Sequence, residues 1–371
     1  MKVAEEEKMM RRCFELAVKG SGHVSPNPMV GCVIVKNGEI IGEGFHRRFG
    51  DAHAEVNAVK SATAPIEGAE VFVSLEPCSH FGKTPPCVDL LIEKGIRKVY
   101  VSMLDPNPRV NGRGVRKMKQ AGIEVEVGLL ADESMKMNEA FVKFIRTGLP
   151  FVTLKAAQSL DGRIALNNGK SKYITSSASL RMVHALRASS DAVLIGAGTV
   201  IADDPSLTVR LVKGRSPARI VVDGNLRAPL NAKMFHDGAS RVILFCSSTA
   251  AENSARKVSS LRKRGVEVYE LNGNREGRIA IRTLLEMIGR LGIASVVVEG
   301  GSAIFSDFIK DGAADKLLLF TAPIILGDGK GMADELQLRD LARAVRLKDV
   351  NYSKVGIDQL MTGYFIRKRQ V

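Results

Sequence analysis

EVFVSLEPCSHFGKTPPC, residues Glu70–Cys87, is the stretch on which the fold of the first half turns. Its opening, EVFVSL, is a mostly apolar, β-branched and aromatic stretch of strand length, the pattern of a buried strand. Proline and glycine then break the periodicity, and two cysteines follow, Cys78 after Pro77 and Cys87 after Pro86. Pro86–Lys94 reads as a helix that stops near Gly95. Upstream, a helix covers about 4–19. Met29–Lys36 and Glu39–His46 form a hairpin about Asn37-Gly38, and a helix spans about 53–63. Downstream, Lys98–Met103 is a strand, Gly114–Ala121 a helix and Glu124–Val127 a strand, with short helices at about 132–146. Apolar strands separated by helices predict a three-layer α/β sandwich.

Arg146-Thr147-Gly148-Leu149-Pro150 interrupts both periodicities and reads as a linker. The expected domains are 1–147 and 148–371. The second restarts with Phe151–Ala156. Further strands are expected at Ala192–Ile195, Arg219–Val222, Arg241–Phe245, Val266–Glu270, Ser295–Val298 and Lys316–Ala322, with helices at Ser176–Ala188 and Ser302–Lys310. This is a second α/β domain with its own core.

Bulk properties narrow the function classes. The chain has 371 residues, 45% apolar and 25% charged, and no apolar run of membrane-spanning length. The N-terminal MKVAEEEKMMRRCFELAVKG lacks the apolar core of a signal peptide, so a cytoplasmic protein without a membrane partner is expected. The net charge is +14, yet no dense Lys/Arg block is present, aromatics are 5% and Trp is absent. A stacking surface for nucleic acid is poorly supplied, and anionic small molecules suit the charge better. Of five cysteines, Cys13, Cys32 and Cys246 lie in apolar elements and read as core thiols; Cys78 and Cys87 cluster.

His53-Ala54-Glu55 precedes these two cysteines. One imidazole and two thiolates suit Zn2+, and three protein ligands leave a fourth position for water, as in a catalytic site. A metal so placed lowers the pKa of water, making a nucleophile near neutral pH. Cys87 opens a helix, where thiolate is favoured over thiol. Glu55, two residues from His53, points about 200° away on an ideal helix. It is therefore read as a proton carrier rather than a ligand. A structural zinc knob would need a fourth ligand, for which His80 is the candidate. The pattern H-x-E with P-C marks zinc deaminases of nucleobases. Here eight residues, not two, separate the cysteines.

That longer loop resembles the bifunctional riboflavin-biosynthesis deaminase-reductases. The resemblance extends to Ser25-Pro26-Asn27-Pro28-Met29-Val30-Gly31, Gly44-Phe45-His46 and Asp105-Pro106-Asn107-Pro108, and covers the whole chain. It implies a cytidine-deaminase-like sandwich acting on a phosphorylated diaminopyrimidinone, with Asn27, His46, Lys83, Thr84, Asp105 and Asn107 lining the pocket. Asn and Asp can read a ring edge, and Lys83 offers a cation to phosphate. Asn27, Asp105 and Asn107 also neighbour proline and could simply make turns.

In the second half, Gly196-Ala197-Gly198-Thr199 lacks the third glycine of a dinucleotide fingerprint. Val298-Glu299-Gly300-Gly301-Ser302 is a better phosphate cradle, since it leaves a strand and enters a helix. The segments 155–163, 171–175, 198–210 and 299–301 resemble the reductase half of the same family. That implies a dihydrofolate-reductase-like fold, NADPH, and reduction of a ribosyl group to ribityl. By position, Ala157, Tyr173, Thr199, Asp203, Gly224, Gly301, Ser302 and Ala303 face NADPH. Ser171, Arg187, Leu207, Arg210 and Glu299 face the substrate, with the two arginines as phosphate ligands. Asp203 is the first candidate proton donor. The resemblance also implies a homo-oligomer. A nucleic-acid base deaminase with an appended binding domain is the competing expectation.

Overall fold

The computed structural model describes residues 2–81, 85–108, 110–171 and 174–366. Lys83, Thr84 and Tyr173, three of the expected site residues, lie outside the described residues. The chain forms two compact units, Met1–Gly148 and Leu149–Val371.

In the first unit α1 (Lys2–Val18) leads into β1 (Gly31–Lys36) and β2 (Glu39–Phe45). Asn37 and Gly38 both take positive φ, 54° and 82°, as a two-residue hairpin turn requires. Then follow α2 (Ala54–Lys60), β3 (Glu70–Val73), α3 (Cys87–Glu93), β4 (Lys98–Val101), α4 (Arg113–Gln120), β5 (Glu124–Val127), α5 (Ala131–Met137) and α6 (Glu139–Thr147). The sheet order is β2-β1-β3-β4-β5. β1 pairs antiparallel with β2 on one side and β3 on the other, and β3, β4 and β5 are parallel. Strand alternation splits the core into two layers. Val33 and Val35 face Met10, Cys13 and Leu16 of α1, while Cys32 and Ile34 face Ala54 and Ala58 of α2. All five cysteines are free, and Cys13, Cys32 and Cys246 are buried.

The second unit runs β6 (Phe151–Gln158), β7 (Arg163–Ala165), α7 (Ser177–Ser189), β8 (Ala192–Gly196), α8 (Ala197–Asp203), β9 (Ala218–Val222), β10 (Val242–Ser247), α9 (Ser248–Asn253), α10 (Ala255–Lys263) and β11 (Val266–Leu271). It continues through α11 (Ile281–Arg290), β12 (Ser295–Val298), α12 (Ser302–Lys310), β13 (Lys316–Thr321), β14 (Lys330–Gly331), β15 (Leu347–Val355) and β16 (Asp358–Phe365). Nine strands form one sheet in the order β11-β10-β9-β8-β12-β6-β13-β16-β15. From β11 to β13 every pairing is parallel; β16 and β15 add an antiparallel hairpin. From β8 the chain moves outward to β9, whereas from β12 it crosses to β13 on the other side. The crevice beyond the carboxyl ends of β8 and β12 is therefore a topological switch point, where open α/β sheets bind ligands.

One close contact fixes the helix that carries the His-x-Glu motif. A Cβ on Gly44 of β2 would lie 2.2 Å from Ala58 N and 2.3 Å from Ala54 O. Only glycine lets α2 settle on the sheet there. Gly44→Ala is expected to cost about 1–3 kcal/mol by overpacking. It should lower the activity of the first unit more than that of the second. Equal activities and an unchanged melting curve would contradict this packing.

Candidate active sites

His53, Cys78 and Cys87 converge. His53 Nδ1 lies 3.5 Å from Cys78 Sγ and 3.4 Å from Cys87 Sγ. Tetrahedral zinc with ordinary Zn–N and Zn–S bonds has donor–donor edges of about 3.5–3.8 Å, so the three atoms fit one ion. Among the described residues this is the group of His, Cys, Asp and Glu side chains placed to hold a metal, with its donor atoms all within 4.8 Å of one another.

Local structure sets each donor. His53 is not in the helix. It is the N-cap of α2 with extended backbone, φ −71° and ψ 168°. The ideal-helix angle between His53 and Glu55 therefore does not apply, and Glu55 sits in the first turn with its side chain buried in the same cavity. Cys78 follows β3 through Pro77, and Cys87 is the first residue of α3. The helix N-terminus acts on the other sulfur from the one expected. The Cys87 backbone N–H donates to Cys78 Sγ at 3.3 Å. Hydrogen bonds from Cys87 and His53 pull the Cys78 thiol well below its ordinary range, while the contact with Cys78 and burial push the Cys87 thiol up. A metal held here would replace that shared proton and keep both sulfurs as thiolates.

A cavity of about 370 Å³ opens beside these atoms. Asn27, His46, Glu55, Asp105 and Asn107 line it, as does the exposed His80. Burial, reinforced by the Cys78 charge, pushes the Glu55 carboxyl up to about 7. Burial likewise raises Asp105 to about 6 and lowers the His46 imidazole. His46 Nδ1 donates to Ala52 O at 3.2 Å, and Nε2 accepts from Asn27 Nδ2 at 3.2 Å, which selects the neutral ring. Asp105 Oδ1 accepts the Asn107 backbone N–H at 2.8 Å, so the turn reading holds here alongside the pocket reading. Two contributors escaped the sequence reading. Phe141, Phe144 and Ile145 of α6 form an apolar wall, and Glu76, beside Pro77, lines the floor. The amphipathic α6 was legible as a helix, but nothing in its sequence marks which face meets a ligand.

In the second unit, the starts of α8 and α12 face each other across the switch point. Their N-caps are Gly196 and Gly301, and a Cβ on Gly301 would stand 4.0 Å from Thr199 Oγ1. Ser302 and Ala303 form the first turn of α12, and Ser302 Oγ accepts the Asp334 N–H at 2.8 Å. Ser171 Oγ lies 3.4 Å from both carboxylate oxygens of Asp203, at the end of α8. Ala157 lies in β6, opposite Phe320. Gly224 has a packing reason of its own, because a Cβ there would lie 1.8 Å from Gly277 O. Leu207 takes φ 54° and buries its side chain in the core. It can meet a ligand only through its backbone.

Arg187 is not a free phosphate ligand. Its Nε and Nη2 donate to Glu299 at 2.7 and 2.8 Å, and Nη1 donates to Thr208 O at 3.4 Å. Their side chains are 12% and 8% exposed, so this is a buried bidentate pair. Arg210 is exposed, and its backbone N–H donates to His184 Nδ1 at 2.9 Å. Burial, aided by the two arginine charges, lowers the His184 imidazole, which keeps Nδ1 an acceptor. Lys155 of β6 stands near the pair, its ammonium disfavoured by burial and favoured by the Glu299 charge. Its signal in the sequence is a lysine inside the mostly apolar run FVTLKAA.

Burial opposes ionisation of Glu299, but Arg187 outweighs it and holds the carboxyl below its ordinary range. That contribution is complete above the ordinary carboxyl pKa and is lost as pH falls through the depressed folded value. Arg187→Met removes the main group opposing burial and leaves only the lesser charges of Lys155 and His184 against it, so the carboxyl is pushed upward relative to the unaltered chain. The substitution should destabilise the second unit by about 3–5 kcal/mol at pH 8 and by less at pH 5. A loss independent of pH would contradict this.

Both units have relatives among known proteins. Residues 150–361 match the RibD C-terminal domain, and residues 3–103 match the cytidine and deoxycytidylate deaminase zinc-binding region. The riboflavin biosynthesis protein RibD of Aquifex aeolicus is 40% identical over 354 residues, covering 95% of this chain and 96% of the relative. That of Bacillus amyloliquefaciens is 45% identical over 323 residues, covering 87% and 85%. Among solved structures, Acinetobacter baumannii RibD superposes with a TM-score of 0.88 at 36% identity, covering 98% of this chain and all of that one. A diaminohydroxyphosphoribosylaminopyrimidine deaminase/5-amino-6-(5-phosphoribosylamino)uracil reductase from Thermotoga maritima gives 0.86 at 39% identity, covering 99% and 100%. Similarity this extensive, over both units in the same order, means that the chain belongs to the RibD family, the riboflavin-biosynthesis proteins that join a zinc-binding deaminase domain to a reductase domain.

Proposed function

We propose that the first unit hydrolyses the ring amine of 2,5-diamino-6-ribosylamino-4(3H)-pyrimidinone 5′-phosphate and that the second reduces the product's ribosyl group to ribityl with NADPH. The substrate is that named for the Thermotoga relative. The observation that carries the reading is the convergence of His53, Cys78 and Cys87 beside a buried carboxyl, in a cavity sized for one ring. His53, Cys78 and Cys87 hold zinc, which when bound lowers the pKa of water toward neutrality.

Glu55 moves the protons. Its carboxyl, poised near neutrality, accepts a proton from water as the C–O bond forms. It then returns that proton to the leaving nitrogen, so the amine departs as ammonia, and the proton of the added hydroxyl passes to the ring nitrogen, leaving a carbonyl. Asn27, His46, Asp105 and Asn107 orient the ring by its edge. The apolar wall of Phe141 and Phe144 packs on its face. Lys83 and Thr84 are assigned to the 5′-phosphate end.

For the reductase step NADPH supplies the hydride, and the protein orients the partners. Thr199, Gly301, Ser302 and Ala303 line the cofactor's phosphates at two helix starts, with Ala157, Tyr173 and Gly224 along its length. Arg210 meets the substrate phosphate. Arg187 and Glu299, with Ser171 and the Leu207 backbone, frame the sugar and ring, and Asp203 is the proton donor.

We also assign a homo-oligomer and a cytoplasmic location. β15 is an edge strand exposed along almost its whole length, and Tyr352 is 63% exposed, which suits pairing with a second copy. Among the described residues no helix is long and apolar enough to cross a membrane. A nucleic-acid base deaminase is not favoured, because kinship extends through the second unit.

Glu55→Gln should keep about one zinc per chain and lose deamination by about 10²–10⁴-fold, read as ammonia release from the nucleotide. Unchanged turnover would reject the role of Glu55. Initial rates of the second step should favour NADPH over NADH; equal rates would overturn the cofactor assignment.

A further inference from the structure

Glu76 is a buried carboxylate with no part in the chemistry above, and its acceptor sites are fully used. Oε2 accepts the backbone N–H of Asp105 at 3.1 Å and of Gly112 at 2.8 Å. Oε1 accepts the N–H of Gly114 at 2.9 Å and of Val115 at 3.2 Å. Four backbone donors saturate the four lone-pair sites of a carboxylate. The side chain is 3% exposed, so water cannot replace a lost bond.

These bonds join two halves of the pocket. Glu76 lies two residues before the sulfur donor Cys78, on the turn that leaves β3. Its four partners belong to the loop after β4, which carries Asp105 and Asn107, and to the first turn of α4. The turn and helix touch directly, since a Cβ on Gly114 would lie 2.5 Å from Pro77 O and 3.1 Å from Glu76 Oε1. α4 has no side-chain cap of its own; its N-cap is Gly112, with φ 78°. Glu76 therefore serves as a cap supplied from another element. Its backbone N–H in turn donates to Met103 O at 3.0 Å, so the two strand ends are pinned together as well.

We infer that Glu76 is a positioning residue, which sets the distance between the metal-ligand turn and the ring-reading residues Asp105 and Asn107. This rests on the deaminase reading of the first unit. Glutamine at this position turns one acceptor into a donor aimed at backbone N–H groups. The loop then loses its register against the metal while the ligands themselves keep their places.

The test is steady-state ammonia release by full-length, zinc-loaded Glu76→Gln on the diaminopyrimidinone nucleotide, with zinc content and reductase rate measured on the same preparation. The expected result is a rise in KM of at least about tenfold, the effect of losing one charge-assisted hydrogen bond. kcat should change by less than about threefold, with zinc and reductase rate as in the unaltered chain. An unchanged KM, or a loss of activity in proportion to lost zinc, overturns the inference. Gly114→Ala, which keeps the carboxylate but forces α4 off Pro77, decides the matter if the first variant does not accumulate. The same rise in KM supports the inference, and an unchanged KM overturns it. No ammonia release from the unaltered chain would instead sink the deaminase reading itself.

Discussion

The contact between one imidazole nitrogen and two sulfurs governs the first unit. Brought within 3.4–3.5 Å of His53 Nδ1, the two thiols cannot both ionise without a cation. The protein alone can stabilise one negative charge there, and it places the helix N–H of Cys87 on Cys78 to do so. A metal at this point would meet the second charge. The sheet, α2 and α3 are arranged around that requirement. β3 ends at the turn carrying Cys78, α3 begins at Cys87, and α2 lies so tightly on Gly44 that His53 and Glu55 have little freedom.

The second unit depends on topology more than on one contact. Its parallel strands bring two glycine-led helix starts to adjacent strand ends, where N–H groups gather without any conspicuous side chain. Arg187 and Glu299 lie close by as a closed pair, which stiffens the wall and leaves Arg210 the more available cation. His184 holds the backbone of Arg210 from the same helix that carries Arg187. One helix thus orders both arginines by different means, one through its carboxylate partner and one through its backbone.

Legibility followed from how local each signal is. His53, Cys78 and Cys87 are of rare types, Glu55 stands at a fixed spacing from His53, and the strands around them are mostly apolar, so the candidate ligands and the layers were legible. The 200° argument for Glu55 failed because His53 is an N-cap with extended backbone, a feature that depends on how the chain enters α2. Glu76 was passed over because its four partners lie 29 to 39 positions away and are backbone amides, which leave no mark in side-chain chemistry. The β15–β16 hairpin was missed for the opposite reason. β15 is exposed on both faces, so its sequence, LKDVNYSKV, shows no alternation to read. Leu207 and Gly224 carried roles by resemblance alone, and their conformations show packing demands as well.

X-ray absorption at the zinc edge of the purified, zinc-loaded protein tests the central claim most directly. The account predicts one zinc per chain with two sulfurs at about 2.3 Å and two nitrogen or oxygen atoms at about 2.0 Å, one of them exchangeable solvent. A shell of three or four sulfurs, four fixed protein donors, or no stoichiometric zinc would contradict it.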